Sequence, residues 1–393
     1  MNGAAGGVGG TGAAGATGGA GGDLLFAVAN GDVSFVTGTI FGGTGAVGGT
    51  GGQGGQGGRG GMGGDAYGRF ATGYGGQGGA GGLGGQGGTG GAGGNVAFTI
   101  DNGAIMFNGV TFGGSGGAGG TGGLAGLDGR GGAGGDFNPD FDGGVSSRAG
   151  SQEGNGSSGN GGVGGNGMFT INGGTTTFQG TTYFGGLGGL NADGTRAASG
   201  NGTLTMNGGI LNLDGNMTFR GADSSFTLGQ DAMLSSGGTT NQIQANEIAL
   251  DGMVYISNGG LLQLAADNGV YFDGIMNLGL GMDSSSYLDV LGNLTFGENA
   301  MFSLYGDDDF FASLYDGWNV SLSLFSVTGE VFGLEYLSFD MSAFDAFGGF
   351  TWAWDDNVLM LAYSDVPEPA TLVILGLGLA GLGVARRRRS NVA

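Results

Sequence analysis

The stretch from Val366 to Arg389, VPEPATLVILGLGLAGLGVARRRR, contains Gly376-x-Gly378-x-x-Gly381. With that spacing a dinucleotide-binding turn brings backbone N–H groups onto a pyrophosphate. The same chemistry needs a strand before the turn, a full helix and second strand after it, and an acid about twenty residues further on. Twelve residues follow Gly381, four of them arginine, and those elements do not fit among them. Nucleotide binding is set aside.

Carboxylates are the next groups that could do chemistry. The calcium nonapeptide Gly-Gly-x-Gly-x-Asp-x-apolar-x can be laid on Gly18 to Phe26 with Asp23 as the ligand, and on Gly60 to Gly68 with Asp65. Any triplet-glycine run that meets an aspartate produces this match, and working sites need tandem copies so that adjacent turns share the ion. Asp307, Asp308 and Asp309 form a further weak calcium candidate, against the alternative of a solvated turn. No metal or cofactor is expected. The chain has no His and no Cys, which excludes the usual triads, thiolate zinc sites and histidine metal clusters. A polysaccharide lyase or hydrolase would need facing carboxylates and usually a basic residue. Arg196 and Arg220 are the body's candidates for the latter, but no acid pair stands out by spacing.

The elements that could position such groups must be built from an unusual composition. Of 393 residues 107 are Gly, mostly before about residue 190, so an apolar core must come mainly from the second half. Formal net charge is −22, and all ten basic residues are Arg, four of them in the run Arg386 to Arg389. A body so poor in cations offers no phosphate-binding patch, and no nucleic-acid partner is expected.

The glycine is ordered. Residues 48–64 read GGTGGQGGQGGRGGMGG and residues 75–94 read GGQGGAGGLGGQGGTGGAGG. A period of three fits neither helix nor strand but matches a threefold polyproline-II or polyglycine-like conformation. A disordered glycine linker is the alternative. Between the runs lie three related apolar segments, 23–41, 95–112 and 168–184, each with an internal Asn-Gly or Gly-Gly turn. They close on Phe41, Phe112 and Phe184, which makes the 71- and 72-residue spacing an internal repeat. The glycine inserts between them are expected to project as hairpins of two arms.

After about residue 200 short alternating segments follow one another, separated by NGG, DGN, DG or NG turns. That pattern indicates an all-β body of four- to six-residue strands, better satisfied by a parallel β-helix than by a sandwich. The resulting division is a glycine-rich region at 1–202 and a β-repeat body at 203–317, followed by an aromatic cap at 318–365 and a tail at 366–389. In the cap Phe350, Trp352 and Trp354 alternate on a strand that turns at Asp355–Asn357 and returns, covering the last coil. A sugar-binding platform is the other use of such rings.

In the tail, residues 370–385 carry no charge and are bounded by Pro367-Glu368-Pro369 and by four arginines. Sixteen helical residues reach about 24 Å, which snorkelling arginines extend towards a hydrocarbon core of roughly 30 Å. One transmembrane helix is expected, with the arginine stop in the cytoplasm. The order Val-Pro-Glu-Pro, Gly/Leu/Ala-rich span, arginine run resembles the PEP-CTERM sorting domain of exported bacterial proteins. The resemblance implies that Pro367, Glu368 and Pro369 are read by a membrane-embedded exosortase and that Arg386, Arg387, Arg388 and Arg389 stop the chain in the membrane. The protein would then be an anchored inner-membrane precursor delivered to the cell surface or beyond. Family members begin with a signal peptide, which MNGAAGGVGG lacks. The expected function is that of a non-enzymatic surface, matrix or biofilm protein, with extracellular polysaccharide as a candidate partner. A β-helical polysaccharide lyase or hydrolase carrying the same tail is the alternative.

Overall fold

The computed structural model describes residues 2–35, 40–62, 74, 76–130, 148–149, 154–237, 240–281, 285–315, 320–344, 350–355 and 357–363. They are nearly all β, joined in one 24-stranded sheet whose pairings are parallel until the final strands. The three apolar segments of the first half do not fold back as hairpins. Leu24–Val28, Val96–Ile100 and Gly167–Ile171 lie side by side in parallel, with Phe26 opposite Phe98 and Phe98 opposite Phe169. Each Asn-Gly or Gly-Gly is a corner from which the chain passes into a second ladder, where Val33–Phe35 pairs with Ala104–Asn108 and that strand with Thr175–Phe184. Gly103, at such a corner, has φ 113° and stands against the backbone of Gly31, a place no Cβ could share.

Later passes repeat the arrangement without long inserts. Ile248, Val270 and Leu294 are consecutive partners in one ladder, and Val254, Met276 and Phe302 in another. Two strands are longer than the turn signals suggest. Gly202–Phe219 runs 18 residues through both NGG and DGN, and Ser225–Ser236 runs 12. At DGN, parallel neighbours carry the strand straight through, with Gly215 opposite Gly180 and Asn216 opposite both Thr181 and Gln242. At NGG the corner persists within the strand, Gly209 holding φ 85° while the following strand shifts register between Leu228 and Asp231.

The core is a stack of rings. Phe26, Phe98 and Phe169 form one file with centroids 4.6 and 4.9 Å apart. Phe35, Phe107 and Phe178 form a second, at 4.9 and 5.1 Å. Phe41, Phe112, Phe184 and Phe219 form a third, at 5.2, 5.2 and 4.4 Å. Inward positions alternate with outward ones, as in Val96–Ile100, where buried residues alternate with half-buried ones. Full burial of each ring contributes on the order of 2 kcal/mol, and each ring pair about 1 more.

The glycine runs pack against one another. Along 76–94 each Gly N–H at every third residue donates antiparallel to 43–61, as in Gly85 to the Gly52 carbonyl at 2.7 Å. A second set donates parallel to the next pass, as in Gly87 to the Ser157 carbonyl at 2.8 Å. The arm 3–22 donates in the same way to 74–92, and 114–129 donates back to 79–94. From 81 to 90 the two glycines of each triplet are buried and the guest residue is exposed. The reason is contact: a Cβ on Gly85 would fall on the Ala13 carbonyl.

The stack closes in a different way from how it grows. Val320–Val327 pairs in parallel with Tyr287–Leu291 and antiparallel with Val358–Tyr363, which pairs in turn with Phe350–Asp355. Trp354 lies on Phe325 at 5.2 Å, Trp352 on Phe339 at 4.9 Å and Phe350 on Tyr363 at 4.7 Å. All three aromatic residues pack against the last passes, leaving Trp352 half exposed. Three short elements differ from the all-β expectation: Leu334–Tyr336 and Ser342–Phe344 are single 3₁₀ turns, and Asp308–Tyr315 is an α-helix, inserted after the strand Met301–Gly306. Asp307 caps it, its Oδ1 accepting from Phe310 N at 2.7 Å.

Candidate functional site

The residues that could do chemistry are mostly engaged in holding the coils in register. Asp23 Oδ1 accepts from the backbone N and Nδ2 of Asn95, at 2.6 and 3.2 Å. Asn95 Oδ1 accepts from Asn166 N at 2.9 Å, Asn166 Oδ1 from Asn201 N at 2.8 Å, and Asn201 Nδ2 donates to Asp223 at 3.1 Å. This corner ladder satisfies backbone donors where the arms meet the strands. A second ladder runs Gln242, Gln263, Asp289 and Ser326, with bonds of 2.6, 2.8 and 2.7 Å.

The other sequence candidates are similarly occupied. Besides capping the helix, Asp307 accepts from Asn258 Nδ2 at 2.6 Å, while Asp308 and Asp309 begin the helix. Their charges suit the positive end of its dipole. Sequence reasoning placed these acids in a turn; the signal it missed was a capping Asp ahead of an amphipathic run. Asp65 lies outside the described residues. Among the described residues no group of three acids is disposed to hold a metal ion.

Arg196 and Arg220, the bases considered for an enzyme, donate to backbone. Arg196 Nη1 reaches the Gly188 carbonyl at 2.9 Å and Arg220 Nη1 the Gly185 carbonyl at 3.1 Å, with the Arg220 guanidinium 4.1 Å above the Tyr183 ring. Tyr305 and Asp251 are among the groups with shifted proton affinities. Burial pushes the Tyr305 hydroxyl well up, helped by its hydrogen bond to Tyr255, and it donates to the Ile256 carbonyl at 3.1 Å. Burial, together with the charge of Asp273, raises Asp251.

The tail follows the last described strand. Tyr363 is buried, closes the last strand and packs on Phe350. The Pro367-Glu368-Pro369 triplet, the span 370–385 and Arg386–Arg389 lie outside the described residues. Among the described residues no helix is long and apolar enough to cross a membrane. Comparison with protein families matches residues 365–389 to the PEP-CTERM protein-sorting motif. The chain carries that sorting motif. The PEP-CTERM motif marks an exported, exosortase-processed protein destined for the cell surface. It starts two residues beyond Tyr363, so the sequence that is sorted directly follows a strand paired on both sides. No curated protein and no solved structure matches the chain.

Proposed function

We propose that this PEP-CTERM protein is a non-enzymatic structural or adhesive component of the cell surface or extracellular matrix. Its body is read as a parallel β-helix carrying polyglycine-like hairpins, and residues 370–385 as a transient transmembrane anchor. The observation that supports the reading most is the placement of the sorting motif directly after a capped stack of coils. The candidate bases within the stack also donate to backbone carbonyls rather than facing a pair of acids. A stiff, acidic stack suits a role in which exposed surface, rather than a reacting centre, is what the cell displays.

The test is to express the full chain with an exosortase, alongside a variant in which Pro367 and Glu368 are both Ala. The parent should be cut near the motif and reach the cell surface, and the variant should stay uncut in the membrane fraction. Normal delivery of the variant, or an uncut parent in the cytosol, overturns the sorting part of the reading. Incubation of the purified chain with neutral and acidic polysaccharides tests the rest, because chain cleavage would favour the lyase or hydrolase alternative.

A further inference from the structure

The outward face of one ladder carries a feature that the packing of the stack does not require. Ala249, Tyr271, Thr295 and Phe332 are consecutive register partners on adjacent strands, and all point away from the core. Tyr271 is 41% exposed and Phe332 is 47% exposed, although Val270 and Phe272, on either side of Tyr271, are buried. Two rungs separate the two rings, or about 10 Å at the spacing of a sheet. They flank an open cleft of about 210 Å³, also lined by Glu247, Asn268, Asn293 and Thr295.

The polar rim has free hydrogen-bonding capacity. Asn293 Oδ1 accepts from Glu330 N at 2.9 Å, which leaves its amide donors open to the cleft. Among the described residues the side chains of Glu247 and Asn268 make no hydrogen bond. Exposed rings beside unpaired amide and carboxylate groups match the two kinds of surface on a sugar ring. Its faces present C–H groups that settle on an aromatic plane, and its edge presents hydroxyls that both donate and accept. The Tyr271 hydroxyl, a phenol protonated at neutral pH, can donate; partial desolvation and then the charges of Asp273, Asp251 and Glu298 shift its proton affinity further up.

Charge selects among sugars. No basic residue lies between Arg220 and Arg386; Glu247 lines the cleft, and the charges of Asp273 and Glu298 act on Tyr271 at its edge. An anionic glycan would be repelled without a cation to offset it. We propose that the Tyr271–Phe332 cleft binds a neutral glycan chain along the stacking direction, with one sugar ring on each aromatic residue and an intervening segment over Thr295. This assignment rests on the surface-protein reading and names a ligand class for it.

The test uses the purified full chain in titration calorimetry and affinity electrophoresis, with cellohexaose, mannohexaose and maltohexaose as neutral probes and hexagalacturonate as the anionic one. At least one neutral probe should bind, and hexagalacturonate should bind at least tenfold more weakly. The double substitution Tyr271→Ala with Phe332→Ala should weaken binding at least tenfold with an unchanged thermal transition. If that variant fails to fold, Thr295→Arg, which fills the outward floor while removing no core contact, should abolish binding. Overturning results are no binding of any neutral probe at millimolar concentration, equal or tighter binding of hexagalacturonate, or a variant whose binding falls less than tenfold. Tail cleavage in the exosortase-expressing host is scored separately. Loss of glycan binding with normal cleavage defeats this inference alone, and an uncut parent defeats the sorting reading instead.

Discussion

Phe98 lies flat on Phe169, with ring centroids 4.9 Å apart and planes 5° from parallel, although an entire glycine hairpin separates them in sequence. The hairpin leaves and returns without shifting the register of the strands that bear the rings. Loop length costs little once the ends are held close together, so the core tolerates inserts as long as each pass restores the same ring to the same file.

Phe107 is fully buried and stacks on Phe35 and Phe178 at 4.9 and 5.1 Å. Replacing it with Ala should cost about 3–5 kcal/mol. Phe26, only partly buried in the first pass, should cost roughly half as much on the same change. Denaturant unfolding of the two variants checks the ratio, and equal losses would contradict the description of the core.

Gly85 and Gly10 occupy similar triplets but different surroundings. A Cβ on Gly85 would meet the Ala13 carbonyl, whereas one on Gly10 would meet nothing within 4 Å. Gly85→Ala should destabilise by about 1–3 kcal/mol or more through forced separation of the arms. Gly10→Ala should be neutral or slightly stabilising, since it restricts the unfolded chain. Thermal melting of each variant discriminates the two outcomes.

Thr176 is fully buried between Ile105 and Leu211 in register, and its hydroxyl has no partner. Thr176→Val keeps the branched shape and removes an unsatisfied group, so a gain of about 1 kcal/mol is expected from equilibrium unfolding.

Ser286 shows the opposite case. Its buried Oγ accepts from Gly279 N at 2.9 Å and lies 2.8 Å from each of the Ile256 and Ser257 carbonyls, between which its one proton is shared. Ser286→Ala strands the Gly279 donor and should cost about 1–3 kcal/mol, measured in the same assay.

Asp251 supplies a pH test. Its folded-state proton affinity is raised, first by burial and then by Asp273, so its ionised form is less favourable in the folded chain than in the unfolded one. The penalty is absent below the ordinary carboxylate value and develops as pH rises through the folded one. Asp251→Asn should therefore raise the melting temperature at pH 7, with the gain disappearing near pH 3. A gain that persists at pH 3 would point to another cause.

Some of this organisation is legible along the chain. The recurrence of Phe41, Phe112 and Phe184 marks a repeat, and the three residues are register partners in one file. The aromatic segment near residue 350 folds back through Asn357, whose φ is 63°, and covers the last passes. Corners were less legible. Asn-Gly and Gly-Gly within the apolar segments look like hairpin turns, because the two uses share local backbone demands and differ only in which strand lies alongside. The helix Asp308–Tyr315 was hidden for a related reason, since eight residues barely exceed two helical turns and the alternation on either side dominates the reading.

The sequence by itself determined the sorting motif, the period-three glycine, the absence of His and Cys and the near absence of cations, because composition and linear order are enough to state them. Tertiary structure decided which glycines cannot be replaced, which carboxylates hold the coils together and which aromatic residues face outward. Those properties depend on neighbours brought alongside from a previous pass: Asp23 meets Asn95, and Tyr271 comes to share a face with Phe332, only once the chain has gone around. Side-chain role in a stacked parallel structure is set by register between distant segments, and local sequence specifies the strand but not its neighbour.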